Sequence, residues 1–343
     1  FHFASAEERG GTNLKSIKVK SQKADWHRLN GYPDIIEINL KKPLPPNDKI
    51  HIKLYYKQRI PEAEFTGYGY ENEQVTARYW LIKPAVFHKK WLLYSHKNLG
   101  DQPQQKNEYN LTFTMPGSHE LISSFKKTNS SRLDKGRTQL KVGGNIVDTK
   151  IHLSSLRDFE TIITDYGIVK TNIPGTNISA DVQAMIIDQI MGFLDKNLGD
   201  YPFKKLIVSQ ADYGYSPVYG LNQLPDFLRP FPDIFQYAIK FFKAASQKYL
   251  HNTMLLNNRK DQWTVDAIQM SLMSDFVKER FSTIKLLGSI SEFPVINWSH
   301  AAELGFNDRY LFLWQTMARQ NYDEKINKAQ DSLLRFNQRI TNV

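Results

Sequence analysis

The chain has 343 residues, of which 41% are hydrophobic and 23% charged, a globular composition with enough length for two domains. It has no cysteine, which excludes disulfides and thiolate metal sites, and it has no apolar run of about 18 residues, so no transmembrane span is expected. The net charge of +10 suits anionic partners, but its short, scattered basic pairs disfavour a nucleic-acid interface: Lys41-Lys42, Lys89-Lys90 and Lys126-Lys127.

The opening segment FHFASAEERGG has neither a starting Met nor the basic, apolar and small-residue order of a signal peptide. We therefore expect a processed protein or a piece of a longer chain. The sequence does not fix the compartment, and secreted, periplasmic and cell-envelope locations all stay open.

Residues 12 to 167 are predicted to form short strands. Apolar and polar residues alternate over several segments, which is the period of a half-buried strand, and turn residues such as Pro116-Gly117 separate them. Many short strands with regular turns favour a saddle-like or sandwich-like sheet domain. The predicted strands are 14–19, 35–40, 50–56, 109–115, 139–142, 145–151 and 159–164.

After residue 168 the pattern becomes mainly helical. A last strand at 168–173 precedes a helix from Ala180 to Leu198, with Ser179 as a candidate N-cap and Gly199 as a candidate C-cap. Residues 206–209 are predicted as a short strand, and 213–232 as a loop. Further helices are predicted at 232–256, 264–281, 299–318 and 323–340.

Several segments, in this order and spacing, resemble the M1 family of gluzincin zinc aminopeptidases. They are Tyr79-Trp80-Leu81-Ile82-Lys83-Pro84, Tyr109-Asn110-Leu111-Thr112-Phe113-Thr114-Met115-Pro116, Asp158-Phe159 and Gly199-Asp200-Tyr201-Pro202-Phe203. The resemblance implies an α+β protein: an N-terminal β domain over 1–167 without its first strands, then a thermolysin-like domain with a small sheet over 168–343. The family's helical C-terminal domain would lie beyond Val343.

The resemblance also places the family's zinc motif, which is HExxH followed by 18 residues and then a Glu. The second-helix motif fits Trp263-Thr264-Val265-Asp266-Ala267, and the family spacing then puts Lys243-Ala244-Ala245-Ser246-Gln247 on HExxH. The two His ligands become Lys243 and Gln247, the general base becomes Ala244, and the Glu ligand becomes Asp266. Lysine must lose a proton to bind metal, Gln is a poor zinc ligand and Ala cannot move a proton.

The sequence therefore predicts no catalytic residue, no metal and no cofactor at this degenerate site, with an ion pair between Lys243 and Asp266 in place of zinc. None of the nine His residues are spaced as H-x-x-x-H. A remodelled metal site that uses His251 and Asp266 stays open, and so does a nucleophile set of Ser246, Lys243 and Asp266.

The family's GAMEN loop has its best counterpart in Gly214-Tyr215-Ser216-Pro217-Val218-Tyr219-Gly220-Leu221. The Glu position falls on Pro217 or on Gln223, depending on the register, and no Glu occurs from 209 to 231. The transition-state Tyr of the family falls near residue 331, where the sequence reads DSLL. Three tyrosines of this segment are candidate substrate- or partner-binding residues, although a packed loop explains them equally well: Tyr213, Tyr215 and Tyr219.

The sequence thus favours a non-catalytic M1-like protein that serves as a binding or structural subunit of a larger protein or assembly, with a protein or peptide partner. The alternative is an active zinc metallo-aminopeptidase with a displaced or remodelled site. A basic module that binds anionic partners is a further alternative.

Overall fold

The structure is a computed structural model that describes residues 5, 8–96, 100, 102–103, 105–155, 158–218, 220–221, 230–298, 300–325 and 328. It has a mixed α+β architecture, with a sheet-rich N-terminal part and a helical C-terminal part, as the sequence predicts. No helix among these residues is long and apolar enough to cross a membrane.

The strands lie mostly in the first half of the chain. In order they are β1 (Gly11–Val19), β2 (Gln22–Lys23), β3 (Asp25–Leu29), β4 (Tyr32–Asn39), β5 (Ile52–Arg59), β6 (Gly69–Glu71), β7 (Gln74–Ala77), β8 (Val86–His88), β9 (Lys90–Leu92), β10 (Asn107–Pro116), β11 (Glu120–Ser123), β12 (Lys126–Leu133), β13 (Arg137–Ile146), β14 (Ile151–Ser154), β15 (Glu160–Thr164), β16 (Gly167–Thr171) and β17 (Lys205–Val208).

These strands form several small antiparallel sheets in the N-terminal part. The pairings are β2-β1-β5, β3-β4, β10-β13-β12, β11-β14-β7-β6 and β8-β9. Strand β10 alternates half-buried and exposed residues along its whole length, so one face can pack while the other meets solvent. Its inner face covers a core that contains Phe125, Leu140 and Val142.

The predicted strand at 145–151 is wrong. Strand β13 ends at Ile146, and β14 begins only at Ile151. In between, the Asp148 carboxylate accepts the backbone N–H of Lys150 at 3.0 Å, a local turn that competes with strand pairing. This turn carries Asp148 and Lys150 toward the helical part of the molecule.

The helices are α1 (Ala63–Thr66), α2 (Ala180–Leu198), α3 (Gln210–Tyr215), α4 (Asp233–Thr253), α5 (Asn258–Arg280), α6 (Pro294–Asn297) and α7 (Asp308–Arg319). The predicted limits of α2 are confirmed, and Gly199 ends the helix at φ +81°, a conformation that favours glycine. Ser179 occupies the N-cap position but makes no side-chain cap bond.

Two of the other predicted helices begin elsewhere. Helix α5 starts at Asn258, six residues before the predicted 264, and α7 starts at Asp308, after a 3₁₀ turn at His300–Ala302, rather than at 299. The predicted loop from 213 overlaps the end of α3. The predicted helix at 323–340 falls largely outside the described residues.

The helical part surrounds a three-stranded sheet. Strand β16 pairs antiparallel with β15 and parallel with β17, and helices α2 and α4 lie against this sheet. The domain boundary that the sequence predicts between residues 167 and 168 passes through β16, so the small sheet itself crosses that boundary. Helix α4 also packs on α5 and thereby becomes the central helix of the larger core.

Candidate functional site

The sequence-predicted site lies where α4 packs against α5. Helix α4 is held in the core by Phe241, Phe242 and Ala245, which have no exposed surface. Ala244, at the general-base position, is 2% exposed and belongs to the same core. Its methyl group therefore contributes to packing, and nothing on it can accept or donate a proton.

Lys243 makes its hydrogen bond across the two helices. Its Nζ donates to Oε1 of Gln269 on α5 at 2.5 Å. The Gln269 amide nitrogen in turn donates to the Lys243 carbonyl at 2.7 Å and to Ser246 Oγ at 2.9 Å. Gln269, which no sequence motif marks, is thus a side chain that joins α4 to α5 at the predicted HExxH position.

Ser246 is not arranged as a nucleophile. It has no exposed surface, and its hydroxyl donates to the Phe242 carbonyl one turn earlier at 2.6 Å. That proton is engaged in a helix back-bond. The predicted set of Ser246, Lys243 and Asp266 therefore lacks a base that takes the Ser246 proton.

Asp266 is connected to His251 through a second glutamine. Gln262 donates to Asp266 Oδ1 at 2.8 Å, and its Oε1 accepts from His251 Nε2 at 3.1 Å. Burial lowers the pKa of His251 to about 4, so its ring is neutral at pH 7. The Asp266 charge also acts on Lys243 and partly opposes the burial that lowers the pKa of that ammonium. Asp266 therefore interacts with Lys243 through its charge, while Gln269 is the hydrogen-bond acceptor of Lys243.

These residues do not fit a zinc ion of the gluzincin type. The aligned donors are a hydrogen-bonded amine at Lys243, an amide at Gln247 and the carboxylate of Asp266, whereas such a site needs two imidazoles and a carboxylate. His251 faces Gln262. Within the described ranges, no group of three or more His, Asp or Glu side chains is placed to hold a metal ion.

A second polar cluster, which no sequence motif predicts, lies beside the first. It consists of two buried ion pairs between the sheet-rich part and the helical part: Asp148 with Lys248 of α4, and Lys150 with Asp212 of α3. Each side chain is 17% exposed or less. We call these four residues the buried charge cluster.

The two carboxylates are ionised over a wide pH range. Burial by itself raises their pKa values, but the charges of Lys248 and Lys150 overcome this effect and lower the pKa of Asp148 to about 2. The same two ammonium groups hold the pKa of Asp212 well below its ordinary value. Asp212 also accepts from Ser209 Oγ at 2.8 Å and from the Tyr68 hydroxyl at 3.2 Å.

The sequence carried a weak indication of this cluster. Lys248 stands between buried Ala245 and Tyr249 on α4, and a cation in such a position needs a partner. The sequence does not identify that partner, because Asp148 lies about 100 residues earlier, on a segment predicted as strand.

The three candidate tyrosines fall in different environments. Tyr213 is 2% exposed and packs in the helical core, so it offers no accessible binding surface. Tyr215 is half-buried, and its ring lies 5.6 Å from that of Tyr68, with the Arg78 guanidinium 4.5 Å from the Tyr215 centroid. Tyr219 lies outside the described residues, as do Gln223 and residue 331.

The fold is that of the M1 zinc metallopeptidases. An M1 zinc metallopeptidase variant from Deinococcus radiodurans superposes with a TM-score of 0.52 and 12% identity, covering 93% of this chain and 67% of that chain. The parent enzyme gives a TM-score of 0.48 and 14% identity, over 82% of this chain and 67% of that chain.

The likeness at these identities concerns the fold alone. No protein-family profile matches the chain, and no curated protein matches it.

Proposed function

We propose that this protein is a non-catalytic M1-like protein that serves as a binding or structural subunit with a protein or peptide partner. The observation that carries the proposal is the Lys243–Gln269–Ser246 hydrogen-bonded group at the HExxH position. It gives Lys243, at the first predicted ligand position, a protein partner in place of a metal. Ala244 supplies no general base for water attack.

The buried charge cluster supports a structural role. Its two ion pairs join the sheet-rich part of the chain to the helical part. Pairs of this kind favour one fixed arrangement of the groups they join.

The second candidate, an active zinc aminopeptidase with a displaced site, is favoured by the M1 fold alone. One experiment separates the two. Protein purified without chelator is assayed for zinc by mass spectrometry and for hydrolysis of aminoacyl-anilides. We expect substoichiometric zinc and no turnover. One zinc per chain together with chelator-sensitive hydrolysis would overturn the proposal.

A further inference from the structure

Arg309 on α7 is a buried cation, and no carboxylate among the described residues forms an ion pair with it. It is 4% exposed, and its guanidinium lies 3.6 Å from the Phe306 ring centroid and 4.4 Å from that of Tyr310. One nitrogen donates to the Tyr310 hydroxyl. Nε and Nη1 have no hydrogen-bond partner among the described groups. A buried charge left in this state costs several kcal/mol, so a counter-charge is expected.

Tyr213 presents a second unused donor in the same region. Tyr213, Phe306 and Tyr310 belong to one packed core, and the Arg309 charge acts on the Tyr213 hydroxyl. Burial raises the pKa of the Tyr213 hydroxyl to about 12, against a smaller opposing effect of the Val218 backbone. No described group accepts the hydroxyl proton. Tyr213 is therefore a donor that needs an acceptor.

Lys243 adds positive potential from α4. The Arg309 charge further lowers the pKa of Lys243, which places the two cations within electrostatic range of each other. Tyr310 and Tyr213 are the groups that raise the pKa of Arg309 against the effect of burial, and neither carries a negative charge at neutral pH. The Asp266 carboxylate offsets the charge of Lys243, so Arg309 is the cation of this region that lacks a counter-charge among the described residues, and it lies near unused donors.

We propose that Arg309 and Tyr213, with Lys243 nearby, form a binding site for one small monovalent anion, either chloride or a carboxylate of formate size. One negative charge balances one guanidinium, and the unused N–H and O–H groups supply its hydrogen bonds. Because the Phe306 and Tyr310 rings already lie against the guanidinium, the proposal is limited to a small ion. This site does not depend on the peptidase chemistry of the chain, active or not.

The first test is thermal unfolding in sodium chloride, sodium formate and sodium gluconate at equal ionic strength. Because an anion that binds only the folded state stabilises it by mass action, we expect the midpoint to rise with the logarithm of chloride or formate concentration. It should not rise with the bulky gluconate. The larger of the two responses identifies the occupant as halide or carboxylate.

The variant Arg309→Met should lose this response. The matched control Arg280→Met changes an exposed arginine on α5 that pairs with Glu279, and it should keep the response. An equal rise in gluconate, or an unchanged response in Arg309→Met, would overturn the site.

A second measurement applies if Arg309→Met does not fold. A crystal of the unmodified chain soaked in bromide should give an anomalous peak within hydrogen-bond distance of Arg309 Nε or Nη1, and Tyr213→Phe should weaken that peak. An acidic side chain of the protein in this position, or no peak, refutes the proposal.

Discussion

Gln269 has no exposed surface and uses both ends of its amide. The oxygen accepts from Lys243 Nζ, and the nitrogen donates to the Lys243 carbonyl and to Ser246 Oγ. The neutral side chain of Gln269 thus forms hydrogen bonds with both the Lys243 ammonium and the Ser246 hydroxyl at the contact between the two helices. Because both partners lie on α4, Gln269 fixes the rotation of α4 relative to α5 at this level.

Replacing Gln269 with Leu tests this role. The side-chain volume is nearly unchanged, but the half-buried Lys243 loses its hydrogen-bond acceptor. Each unsatisfied buried polar group costs about 1–3 kcal/mol. We expect a loss of that order in the free energy of unfolding by urea. Ser271→Ala, at an exposed position of the same helix, should change it by less than about 0.5 kcal/mol. A Gln269→Leu value within the error of this control would show that the bonds contribute nothing.

At the scale of the element, each side of helix α4 makes a different kind of contact. One side places Lys243 and Ser246 against α5, another buries Phe241 and Phe242, and Lys248 reaches the sheet-rich part. The helix is therefore the element through which the two parts of the chain are joined. Lys248, which forms the ion pair, lies about 1.4 turns after Lys243, which is hydrogen-bonded to Gln269.

For the ion pair between Lys248 and Asp148, we expect the cost of removing one partner to exceed the net stability that the intact pair contributes. Removing one partner leaves an uncompensated buried charge, which costs about 3–5 kcal/mol. We expect Lys248→Met to lose stability of that size in urea unfolding, and Lys196→Met, at an exposed position of α2, to be nearly neutral. The double variant Asp148→Asn/Lys248→Met should lose less than the two single losses added. Additive losses would mean that the two side chains do not act as a pair.

The helices were largely predictable because apolar residues recur at helical spacing along α2 and α4. The starts of α5 and α7 were not. The polar residues Asn258, Gln262, Asp266 and Gln269 face the protein interior in α5, and no hydrophobic periodicity reveals a buried polar face. The contacts of Gln269 and of the buried charge cluster could not be predicted for a second reason, because their partners come from distant parts of the chain. Motif spacing predicts the family's metal and general-base positions at Lys243, Ala244, Gln247 and Asp266, and this stays a prediction; the spacing gives no sign of the Lys243–Gln269 hydrogen bond.

At the scale of the whole molecule, buried titratable groups should make the fold sensitive to acid. Burial lowers the pKa of His152 and of His251 to about 4 from the ordinary value of 6.5. Between about pH 6.5 and 4 the unfolded chain therefore binds protons that the folded chain does not. The free energy of unfolding therefore decreases as the pH is lowered through this window, by up to about 3 kcal/mol for each histidine.

Below about pH 4 the carboxylates continue the same trend. Asp148 and Asp212 keep pKa values below their ordinary 3.8 in the fold, so their contribution to stability is present above that value and is lost as pH falls toward 2.

The free energy of unfolding, measured in urea at pH 7.5, 6, 5 and 4, should decrease steadily as the pH is lowered. His152→Asn should flatten the slope between pH 6.5 and 4, while His27→Asn, at an exposed position of β3, should leave it unchanged. A free energy that stays constant over this range would mean that both histidines become protonated without opening the core, which their burial and the neighbouring Lys150 and Lys248 charges oppose.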